Sequence, residues 1–154
     1  MEYAVPVWNP YAAGDIAMLE KVQKRATRIP ASLKGVPYAN RLMKLGLTSL
    51  KERRDRGDAL QKFKLDKGFE KVKWLSDNTQ PPLDRPIRRN NRRIKREVVK
   101  HCEQRYHFFN NRIVNMWNSL PENTVSAQTV DKFKEAYDLS VNSEKNEQRM
   151  RMNV

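Results

Sequence analysis

The chain has 154 residues, room for one domain or two very small ones, and 31 Lys and Arg against 18 Asp and Glu leave it at +13. That surplus favours polyanionic partners, nucleic acid above all. No apolar run approaches the ~18 residues of a membrane span, no N-terminal apolar segment points to secretion, and the lone Cys102 excludes an internal disulfide framework. The default reading is an intracellular protein, in nucleus or cytoplasm, without a membrane partner. Apolar residues make up 38% of the chain, enough for a thin core.

Residues 1–10 are apolar and aromatic (Tyr3, Val5, Val7, Trp8) and read as the end of an element, closed by an Asn9-Pro10 turn signal. The stretch Ile16 to Ile29 then reads as one helix with two opposed faces. Ile16, Leu19, Val22, Ala26 and Ile29 recur at steps of three and four and predict the packed side. Lys21, Lys24, Arg25 and Arg28 form a second stripe, centred roughly 150° away at about 100° per residue. Only Glu20, four residues before Lys24, offers a local counter-charge. The stripe is either a solvated face or a surface that takes an external anion. Pro30 stops this helix.

A short second helix is predicted over Tyr38 to Leu45, closed by Gly46. Ser49 to Glu52 fits a capping box and opens a third helix reaching about Asp66, with Gly68 just beyond. Its Lys51–Asp55, Glu52–Arg56 and Arg54–Asp58 pairs have opposite signs at i,i+4, so most of its cations are answered internally and its role is structural. Gly57, inside that helix, marks a candidate close backbone approach, since Gly there costs ~1 kcal/mol relative to Ala.

Residues 77–86 have the composition of a linker. Arg85 to Arg105 holds nine basic residues against Glu97 and Glu103, a net of 9 − 2 = +7. Ile94, Val98 and Val99 permit a short strand within this basic arm. Arg105 to Leu120 predicts the next helix, with Phe109, Ile113, Met116, Trp117 and Leu120 as its apolar face and Pro121 at its end. Thr129 caps a last helix through Phe133 and Tyr137 to about Ser140, and residues 142–154 read as a polar, flexible tail. The expected fold is thus mainly α. A small helical bundle over 1–68 is followed by a linker over 69–86, then the basic arm and a C-terminal helical segment over 87–141.

Chemistry-bearing constellations are absent from this pattern. Metal-dependent nucleotidyl transfer needs clustered carboxylates, and no two acidic residues are adjacent. There is no Gly-rich phosphate loop. His101, Cys102 and His107 make no recognised zinc spacing. No cofactor, metal site or catalytic residue is expected.

Several phrases of the chain together resemble one family. They are Tyr3-Ala4-Val5-Pro6-Val7-Trp8-Asn9-Pro10, then Leu19-Glu20-Lys21-Val22-Gln23-Lys24-Arg25-Ala26-Thr27-Arg28, then Leu45-Gly46-Leu47, Glu52-Arg53-Arg54 and Arg56-Gly57-Asp58. Phe108-Phe109 through Trp117-Asn118-Ser119-Leu120-Pro121, with Val125-Ser126-Ala127, completes the order. It resembles the C-terminal part of reverse transcriptases (RNA-directed DNA polymerases) from non-LTR, LINE-type retrotransposons of the Jockey kind. The resemblance implies that residues 3 to about 66 match the thumb, which grips template–primer duplex, and about 83 to 140 the post-thumb segment. It further implies that the palm and fingers, with the aspartates that hold Mg²⁺, lie upstream of this sequence and would be partners of it. Met1 stands where such a chain would be in mid-element, which implies a truncated element, an internal start or a fragmentary gene model.

The expected function is therefore non-catalytic binding of RNA or DNA, mostly through backbone contacts. The candidate residues are Lys21, Lys24, Arg25, Arg28, Arg88, Arg89, Arg92, Arg93, Lys95, Arg96, Arg105 and Arg112, with His101, Tyr106 and His107 as candidates for stacking on unpaired bases. The alternatives are a free-standing nucleic-acid-binding protein derived from a retroelement, or a relic without function.

Overall fold

The computed structural model describes residues 4–72 and 93–152, and the chain is mainly helical as the sequence predicts. The elements in chain order are α1 (Val5–Trp8), α2 (Ala13–Ala26), a 3₁₀ turn (Ala31–Leu33), α3 (Tyr38–Lys44), α4 (Leu50–Asp66), α5 (Glu103–Tyr106), α6 (Phe109–Ser119), α7 (Glu122–Val125) and α8 (Val130–Met152). Two compact units divide within α4, between Gly57 and Asp58. The linker expected over 77–86 lies outside the described residues.

Local chemistry sets the ends of α3 and α4. Gly46 and Gly68 both take the left-handed conformation past the helix ends, at φ +62° and +73°, where a side chain would be strained. Ser49 Oγ accepts the Glu52 N–H at 3.2 Å, the first half of a capping box. Gly57 departs from the expectation of close approach: a Cβ built there would meet nothing within 4 Å.

The first unit holds together largely through polar groups. The face of α2 that turns inward carries buried Gln23 and Thr27, whereas Val22, Ala26 and Ile29 of the predicted packed stripe are exposed. The polar groups on that face are all engaged, although Nη2 of Arg54, buried in the same unit, has no hydrogen-bond partner among the described residues. Gln23 Nε2 donates to the Thr48 carbonyl at 2.9 Å and to Tyr38 Oη at 3.1 Å. Arg41, 4% exposed, donates from Nε to Thr27 Oγ1 and from its two terminal nitrogens to the carbonyls of Val36 and Lys24. Lys24 lies in the last turn of α2, so the guanidinium answers an orphan carbonyl at the negative end of that helix. Glu20 does not pair with Lys24. Its carboxylate accepts the Tyr38 hydroxyl and, at 3.1 Å, the Leu50 N–H that opens α4. Burial, then this bond to Glu20, pushes the Tyr38 phenol from 10.0 up to about 12. Arg54, 2% exposed, donates to Asn9 Oδ1 at 2.9 Å instead of pairing with Asp58.

The second unit has an apolar core. Phe63, Phe109, Ile113, Trp117, Leu120, Val125, Phe133 and Tyr137 are buried in one cluster with Ala59 and Ile94. Phe63 and Phe133 stack with ring centroids 4.3 Å apart. The predicted apolar face of α6 is the one that packs. The helix expected from Arg105 is broken, however: α5 ends at Tyr106, and Phe108, extended at φ −63° and ψ 158°, restarts the chain as α6. At the C-terminus Thr129 Oγ1 accepts the Lys132 N–H, as expected of a cap, but the helix runs on to Met152. Glu, Lys, Gln, Arg and Met dominate 144–152, all good helix formers, and they carry the helix past the end of the apolar period.

Candidate nucleic-acid interface

In the first unit α2 ends at Ala26, short of the predicted Ile29, and the cationic stripe, with Arg28 in the turn after the helix, faces solvent. Lys21, Lys24, Arg25 and Arg28 are all exposed. Lys21, Arg25 and Arg28 have no ion-pair partner among the described residues, and the Lys24 ammonium sits 5.3 Å over the Tyr38 ring. This follows from the diversion of Glu20, the one nearby acid, into Tyr38 and Leu50. Residues 21–51 contain eight Lys and Arg and no Asp or Glu. Arg41 is buried within that run and Lys51 pairs with Asp55 at 3.2 Å.

In the second unit the basic arm is held by a device that the sequence reading missed. The segment from Arg93 to Lys100 forms no strand element among the described residues, only an isolated bridge position at Ile94. Two asparagines of α6 grip its backbone instead. Asn118 Oδ1 accepts the Ile94 N–H at 3.0 Å and Asn118 Nδ2 donates to the Ile94 carbonyl at 2.9 Å. Asn111 repeats the pattern one heptad earlier, accepting the Glu97 N–H at 2.8 Å and donating to its carbonyl at 3.4 Å. Residues seven apart share a helix face. The arm therefore runs antiparallel to α6, with the main-chain groups of Ile94 and Glu97 satisfied by side-chain amides. At the first grip Ile94 is buried in the core, while Arg93 and Lys95, on either side of it, are exposed. At about 3.3 Å per residue the two cations stand roughly 7 Å apart along the arm. The only sequence signal for this was a pair of amides set into an apolar helix face.

The other candidates have other employment. Arg112, expected to face nucleic acid, is the corrected case. Its Nε and Nη2 bind both oxygens of Asp58 at 2.8 and 2.9 Å, with side chains 14% and 3% exposed. Arg105 pairs with Glu97. Arg96 lies over the Tyr106 ring at 5.0 Å and donates to its hydroxyl. Tyr106 is exposed and meets His107 edge-on at 5.0 Å, outside the core. Arg88, Arg89 and Arg92 lie outside the described residues. Among the described residues no three His, Cys, Asp or Glu side chains converge, and no helix is long and apolar enough to cross a membrane. No family model, curated protein or solved structure matches the chain.

Proposed function

We propose that this chain binds RNA or DNA through the phosphate backbone, without catalysing a reaction on it. The observation that carries this reading is the α2 surface, where three exposed cations have no counter-ion among the described residues in a 31-residue run devoid of acids. A backbone-binding surface needs fixed cations that are not already neutralised, and it reads no sequence. The clamped arm supports the same reading independently, since its main-chain grips present Arg93 and Lys95 outward whatever lies opposite them. The resemblance to the thumb and post-thumb part of a non-LTR retrotransposon polymerase agrees with a duplex-gripping role. On that reading the polymerase aspartates and their Mg²⁺ belong to a palm outside these 154 residues, and the purified 154-residue chain extends no primer.

The test is a salt titration of binding to a short duplex, read by fluorescence anisotropy. If ~6 phosphates are neutralised, log K against log salt falls with a slope of about −5. A slope near zero, or no binding at low salt, removes the proposal.

A further inference from the structure

The outward apolar face of α2 has an unfilled neighbour. Val22, Ala26, Pro30, Leu45, Leu47 and Leu50 line an open groove of about 560 Å³ in the first unit. Met18, 60% exposed, continues the apolar strip along α2, and Ile29, 78% exposed, follows just past the C-terminal end of that helix. From Met18 to Ala26 the helical part of the strip is roughly 12 Å long at about 1.5 Å per residue, a little over two turns of helix.

We infer that this groove is a docking site for an acidic amphipathic helix of another protein. The charge around it selects that occupant. Arg53 lines the groove and no acidic side chain does. Arg25, three residues after Val22, neighbours it on the helix surface, and Lys44 precedes Leu45 in the chain. A helix that lays apolar side chains at i, i+3, i+4 and i+7 into the groove and flanks them with Glu or Asp satisfies both the lining and the rim. The other occupants fit less well. A second copy of a chain at +13 brings like charge, and so do residues 73–92 of this chain, with four Arg and one Lys against two Asp. Nucleic acid has no aliphatic side chains to fill the groove, and no aromatic ring lines it for bases to stack upon. A bilayer is flat and leaves a concavity empty.

The experiment uses the full chain and three labelled peptides of ~18 residues, long enough to span the strip. One is an amphipathic helix with Leu on one face flanked by Glu. The second replaces every Glu by Lys. The third scrambles the first, keeping its composition but losing its face. The first peptide binds measurably better than the other two. Val22→Gln on α2 and Leu47→Gln in the connection between α3 and α4, both at exposed positions, each weaken it about tenfold, or ~1.4 kcal/mol, while helix content by circular dichroism and affinity for duplex stay at parental values. Equal binding of the scrambled or Lys peptide overturns the inference, as does parental binding by both variants. Failure of the Glu peptide to bind at all overturns it too. So does a dimer of the parent chain that either variant makes monomeric, which would assign the groove to a second copy.

Discussion

Replacing Asn118 by Ala tests the grip on the basic arm. The substitution removes one acceptor and one donor, stranding the N–H and the carbonyl of Ile94, a residue 4% exposed. If the arm stays in place, each stranded buried group costs about 1–3 kcal/mol, so roughly 2–6 in total. If the arm leaves, water satisfies both groups and the cost becomes the lost burial of the Ile94 side chain, about 1.5–3 kcal/mol. The cheaper route wins, so the arm undocks around Ile94 and the loss is capped near ~2–3 kcal/mol. For a unit of this size that is a fall in Tm of roughly 8–24 °C, at about 4–8 °C per kcal/mol. Hydrogen exchange separates undocking from general destabilisation. The Ile94 amide, and in turn the Glu97 amide held by Asn111, loses protection in the variant before the amides of α6 do. Unchanged protection at Ile94, with a Tm within a degree or two of the parent, would refute the clamp.

Gly57→Ala should raise stability by about 0.5–1 kcal/mol, because the added methyl meets open space and the helix interior gains propensity; a thermal melt reads it. Arg112→Ala should cost roughly 3–5 kcal/mol by removing the bidentate partner of the buried Asp58 carboxylate, and the double change D58L with R112M should recover most of it in urea titrations. Tyr38 ties the first unit to high-pH behaviour. Its phenol titrates higher folded than unfolded, so the stability it supplies is complete below pH 10 and is lost as pH rises toward 12. Denaturation monitored between those values should show this loss in the parent and not in Tyr38→Phe.

The legible parts of this molecule were those written locally. Gly46, Gly68, Ser49 and Thr129 mark helix ends through their own backbone or side-chain bonds, so α3, α4 and the start of α8 follow from the residues themselves. The α6 face was legible because its partners are apolar and its period is helical. The orientation of α2 was not. Its buried side is polar, and what makes Gln23 and Thr27 tolerable inside is supplied by Tyr38, Arg41 and Thr48, 14 to 25 residues on. Periodicity weighs hydrophobicity and sees no such partners. For the same reason Arg112 looked available until Asp58, 54 residues earlier, was placed against it. The exposed cations of α2 were identified correctly as exposed, although the face assumed to lie opposite them was not the one that packs.

The central claim rests on the α2 cations, and one measurement addresses it most directly. Lys21, Lys24, Arg25 and Arg28 are changed together to Gln, and the salt dependence of duplex binding is compared with that of the parent. Each phosphate that is no longer neutralised makes the slope shallower by about 0.9. The account predicts a slope reduced by roughly 2–4 with little change in melting temperature, since none of the four has an ion-pair partner within the described residues to lose. A variant that binds with the parental slope would contradict it.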